Sequence, residues 1–93
     1  MPEMRPRIRW PDGRLETGYS PSLVVRDYLV EGESATLADF LDRSRAALSI
    51  ASERVRAKYG RPCPRARGQL AHLEMIGRAY APDACVTLET FEP

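Results

Sequence analysis

Residues 36–59, TLADFLDRSRAALSIASERVRAKY, read as one long capped helix, and an element of that length sets the layout of everything packed around it. Thr36 stands at the N-cap position, where its hydroxyl can accept from a free backbone N–H. Asp39 stands three residues on, where a capping box carries its acid. Leu37, Leu41, Ser44, Leu48, Ala51, Val55 and Tyr59 recur at spacings of three and four, which draws one mostly apolar stripe along a single face. Asp39 and Asp42 lie near the start, with Arg54, Arg56 and Lys58 near the end, the polarity that the helix dipole favours. Gly60 and Pro62 end the helix. Such a helix buries its stripe against a second layer.

Strand patterns supply that layer. Residues 3–10 alternate, with Met4, Pro6, Ile8 and Trp10 on one side and Arg5, Arg7 and Arg9 on the other. Pro6 has no N–H, which places this strand at an edge or leaves it paired on one side there. Pro11-Asp12-Gly13 is a turn, and residues 14–19 return with Leu15, Thr17 and Tyr19 on the apolar face. Glu16 and Glu89 then share the outer face with the three arginines, where cross-strand ion pairs are expected. Ser20-Pro21 opens a short helix to about Leu29, although Val24 and Val25 also suit a strand, and both readings stay open. Glu31-Gly32-Glu33 makes a turn. A second helix runs from Pro64 to about Tyr80 with Ala66, Leu70, Leu73, Gly77 and Tyr80 on its stripe, Gly77 allowing close approach to the first helix. Pro82 and Asp83 end it, and residues 84–91 form a last strand with Val86 and Leu88 inward. The order β-β-short α-α-α-β predicts a two-layer α+β domain over residues 1–93. In it, the hairpin and C-terminal strand form a three-stranded sheet covered on one face by two helices.

Ninety-three residues allow a single modest core, and 14 basic against 13 acidic residues leave a net charge of +1 that drives no binding to nucleic acid or membrane. Apolar residues at 43% and charged ones at 29% fit a folded chain. No apolar run is long enough to cross a bilayer, and MPEMRPRIRW has no apolar stretch of the kind a secretory signal carries. Cys63 and Cys85 form no CxxC pair. Free thiols in a cytoplasmic protein are the expectation, with a disulfide between them left open.

The absences narrow the chemistry. His72 has no second histidine or acid at zinc spacing, and P-loop, GxGxxG and GxSxG motifs are missing, so no catalytic residue, metal or cofactor is assigned. His72, inside the second helix beside its stripe, reads as a structural or surface residue. The candidate site is the junction between the helices, where Arg54, Arg56, Lys58, Arg61, Arg65 and Arg67 fall within fourteen residues that hold no acid. Arg65 and Arg67 stand in a first helical turn, against the dipole. Free N–H groups with arginines there suit a phosphate, a carboxylate or an acidic partner surface, unless both side chains simply point into water. Cys63 lies among these bases, which favour a reactive thiolate; a small buried filler is the other reading. Ser20, Ser22 and Arg26 form a second set able to hold an anion. The row Arg5, Arg7 and Arg9 lacks stacking aromatics beside it, so no nucleic-acid partner is assigned.

The stretches RIRWPDG (7–13), YSPSLVVRDYL (19–29), SRAALSIASERVRAKYG (44–60) and CPRA (63–66) resemble a known family. It is the small bacterial nitrogen-starvation-response proteins encoded in a conserved nitrilase gene cluster, with mycobacterial members as its prototype. The resemblance covers nearly the whole chain. It implies a part in nitrogen scavenging from nitriles or cyanide. The implied neighbours are a nitrilase, a radical SAM protein, an acetyltransferase-like protein, a flavin-dependent oxidoreductase and a protein related to aminoimidazole ribotide synthase. It supplies no catalytic residues. This chain has Gly18 where the family pattern carries a cysteine, and Arg67 where it carries an apolar residue. The expectation is a non-catalytic accessory protein that binds the nitrilase or a neighbouring enzyme through the Arg54–Arg67 junction or the Tyr19–Arg26 segment. The alternatives are a sensor or carrier of a small anionic metabolite or nucleotide, and an enzyme using Cys63 as nucleophile.

Overall fold

The alternation at the start of the chain produces β1 (Arg5–Arg9), whose Pro6 and Ile8 are buried while Arg5 and Arg9 face out. The computed structural model describes residues 3–92. After β1 come β2 (Leu15–Thr17), α1 (Val25–Tyr28), β3 (Ser34–Thr36), α2 (Leu37–Tyr59), α3 (Pro64–Gly77) and β4 (Cys85–Glu92). Among the described residues the sheet has four antiparallel strands in the order β2-β1-β4-β3. Its inner face presents Ile8, Trp10, Val86 and Leu88, and these join Phe40, Ala47 and Leu48 of α2 and Leu73 of α3 in one core. Phe40 and Ala47 sit beside the expected stripe of α2 and widen it, as a helix facing a sheet requires.

The expected α+β layering is therefore present, but the sheet has four strands instead of three. β3 is three residues long, too short for an alternation signal, and directly precedes a strongly marked helix. Its pairing with β4 continues at both ends. Gly32 N donates to Leu88 O at 2.7 Å and Leu88 N to Glu33 O at 3.1 Å. At the other end Leu37 N reaches Ala84 O at 2.8 Å and Ala38 N reaches Pro82 O at 3.0 Å. Two of the N–H groups that a helix start leaves free are thus taken by the segment before β4. The Thr36 hydroxyl accepts a third, from Asp39 N at 3.2 Å, as the cap reading expected. The Asp39 carboxylate turns to Arg43 at 3.0 Å. At the far end Gly60 takes a left-handed φ of 85° and closes onto Arg56 O.

A second correction concerns β2. Ile8 pairs with Glu16, and Arg9 with Leu15, so Glu16 faces the core while Leu15 and Thr17 face solvent. Partners across an antiparallel ladder share a face, and the Pro11-Asp12-Gly13 turn, closed by Gly13 N to Trp10 O at 2.8 Å, sets the register that decides which face. Glu16 therefore does not join the outer arginines. Arg9 meets Glu89 and Arg7 meets Glu92.

Residues 21–29 resolve as the short helix, but it begins at Val25. Ser20 does not cap it: its hydroxyl donates to Ser22 O at 2.8 Å and accepts from Ser22 N, shaping a turn before the helix. α3 ends at Gly77, and residues 78–80 continue as turns. A Cβ on Gly77 would lie 3.1 Å from Leu41 Cδ1 and 3.5 Å from Leu37 Cδ1, which confirms the close approach to α2. Both cysteines are free, Cys63 buried and Cys85 exposed. Among the described residues no helix is long and apolar enough to cross a membrane.

Thr36→Ala removes the side-chain acceptor at the start of α2 and is expected to lower stability by about 1 kcal/mol in urea unfolding, with Thr36→Ser close to wild type.

Candidate functional site

The basic junction between α2 and α3 does not form one surface. Its arginines leave the chain in three directions. Arg54 turns toward α1, and its Nη1 donates to Ser22 Oγ at 3.1 Å. That contact brings together two segments 32 residues apart. They share an open groove of about 400 Å³ lined by Leu23, Val24, Arg26, Asp27 and Arg54. Ser22 is itself buried and also accepts from Val24 N, so its position is fixed by the turn that starts α1.

Arg56 folds back on Glu53, with Nη2 at 3.0 Å from the carboxylate, and that bond holds its charge more firmly. Arg61 is exposed in the connection after Gly60. Arg65 lies 3.9 Å from the centre of the Tyr19 ring and reaches Glu3 at 3.7 Å, a stacked and paired cation. Burial pushes the Tyr19 phenol above its ordinary range, and the Arg65 guanidinium opposes that shift. Arg67 points elsewhere, into a second open groove of about 370 Å³ with Ser49, Ser52, Glu53 and Pro62. Cys63 occupies the N-cap of α3 and is only 9% exposed, sealed into the core. Ser20 is fully buried. Of the expected site residues, Ser22, Arg26 and Arg54 come together, with Ser20 buried behind them and bonded to Ser22; Arg56, Arg61, Cys63 and Arg65 do not join them.

A second polar cluster had no counterpart in the sequence reading. Because Glu16 faces inward, its Oε2 accepts from Trp10 Nε1 at 2.8 Å while Oε1 contacts Nε2 of His72 on α3. Both carboxylate oxygens are thereby occupied, and β2 is tied to α3. Trp10 also stacks on Tyr80, 6.0 Å between centroids and 12° between planes. Beside it Asp12 accepts from Arg14 N at 2.9 Å, a bond that holds the Asp12 carboxyl below its usual range. Loss of water contact, together with a bond to Asp12, pushes the Tyr80 phenol up. The signal for this cluster lies in the turn itself: an inward tryptophan just before it leaves an indole N–H in the core, and an acid six residues on can accept it. His72, read as structural or surface, serves to anchor its helix.

Among the described residues, no group of three or more His, Cys, Asp or Glu could hold a metal ion. The molecule is a small α+β domain whose convergent polar groups sit in an open surface groove and in one anchoring cluster. The chain belongs to the family described as nitrogen starvation-induced protein NitG, which matches residues 5–91. No curated protein and no solved structure matches it.

Glu16→Ala leaves the Trp10 indole N–H without its acceptor in the core. Denaturant unfolding followed by the fluorescence of this single tryptophan is expected to show a loss of about 1–3 kcal/mol. Glu16→Gln, which retains an acceptor, is expected to lose less.

Proposed function

We propose that the chain is a non-catalytic accessory protein in a bacterial nitrogen-scavenging response. In this reading it docks on another protein of the same gene cluster, a nitrilase or a neighbouring enzyme. The observation that supports this most is the groove in which Arg26 and Arg54 flank Leu23, an apolar side chain left 39% exposed. Arginine beside an accessible aliphatic group is the composition of a protein interface, with charge to choose the partner and apolar area to hold it. The partner surface that fits has an apolar patch opposite Leu23, acids opposite Arg26 and Arg54, and a basic or N–H group opposite Asp27. Membership of a nitrogen starvation-induced family agrees with the physiological setting.

A small anion held by the same two arginines is the second reading. Asp27 lines the same groove and repels an anion there, while Leu23 offers it nothing. The protein-partner reading uses both kinds of side chain.

The test is a pull-down from nitrogen-starved cells with the wild-type chain and with a Leu23→Asp/Arg26→Glu variant. Both positions are exposed, so the variant is expected to melt with the wild type. The expected result is near-stoichiometric recovery of one cluster protein by the wild type and loss of it by the variant. Retention by the variant would move the interface elsewhere. Recovery of the wild-type chain alone would overturn the accessory reading and favour the small anion.

A further inference from the structure

Ser44 is a polar residue on the buried stripe of α2, only 2% exposed, and its Oγ has no hydrogen-bond partner within the protein. Gln69 of α3 presents the same problem: its Nε2 is buried and also lacks a protein partner. A buried polar group left unpaired costs roughly 1–3 kcal/mol, so two of them in one small core call for a common acceptor and donor. Both side chains line one cavity, walled otherwise by Tyr19 and by apolar groups that include Ile8, Phe40, Leu48 and Leu73. The space open to the centre of a water molecule there is about 10 Å³, at the lower bound of what holds one water and no more.

We infer that the core carries a binding site for a single water molecule held between the Ser44 hydroxyl and the Gln69 amide. Its size excludes a ligand of several heavy atoms. Its chemistry separates it from a purely apolar void, which stays dry. The water links α2 to α3 beneath β1, where no direct side-chain bond joins the two helices at these positions. Gly18 keeps the site open. A Cβ there would lie 2.8 Å from Gln69 Nε2 and 3.3 Å from Pro6 Cγ, so any larger residue pushes the amide off its place.

A high-resolution crystal structure of the whole chain tests this directly. One water within hydrogen-bond distance of both side chains is expected; a dry cavity, or a direct Ser44–Gln69 bond, overturns the assignment. In solution, Ser44→Ala leaves the water with one anchor fewer and is expected to lower the melting temperature by about 4 °C. The double variant Ser44→Ala/Gln69→Leu removes both polar partners, so that no buried donor or acceptor is left unpaired, and is expected to recover that loss. A rise in melting temperature for Ser44→Ala alone would mean that the hydroxyl was simply unpaired, and would also overturn the assignment.

Discussion

The burial of one indole organises this domain. Trp10 is 1% exposed at the end of β1, with Phe40 of α2 edge-on at 5.8 Å and Tyr80, just past α3, stacked at 6.0 Å. An aromatic side chain of that size dominates a small core, and edge-to-face and offset contacts add to the area it buries. Its N–H, however, cannot enter an apolar layer alone. Glu16 meets it from β2, and that need explains why a carboxylate stands on the inner face of a strand. His72 then closes the far side of the carboxylate. Hairpin, long helix and second helix are thus referred to one ring.

Much of this was legible locally. The start and end of α2 follow from Thr36 and Gly60, because a cap is a bond between neighbours in sequence. The inner faces of β1 and β4 follow from clean alternation. β2 did not yield to the same reasoning. Leu15, Thr17 and Tyr19 alternate convincingly, yet Leu15 and Thr17 are the exposed pair, since register is set by the turn and by what stands opposite. β3 escaped for a related reason: three residues carry no period, and its existence depends on β4, some fifty residues away in the chain.

The basic run teaches the same lesson about sites. Six cations in fourteen residues look like one patch on paper. A helix turns its side chains by about 100° per residue, and the chain then breaks at Gly60 and Pro62 before a new helix begins. The charges scatter. What gathers instead is Arg54 with Ser22 and Arg26, residues whose proximity rests on α1 lying against α2. Each of the two halves of this set was visible in the sequence; their union is a tertiary fact. The reading of Cys63 shows the converse. Of its two readings, a reactive thiolate among bases and a small buried filler, the second holds, because its place at the helix cap turns the thiol into the core.

The strand order carries a consequence for how this fold can be recognised. The two outermost strands, β2 and β3, are three residues each, while the long β4 and the proline-bearing β1 lie between them. An extended peptide adding itself to either border would find only a few backbone groups to bond, and a second copy of the chain would find no more. The sheet is thereby protected from lengthening into a shared ribbon. Selectivity in such a domain falls to its side chains and the grooves they border.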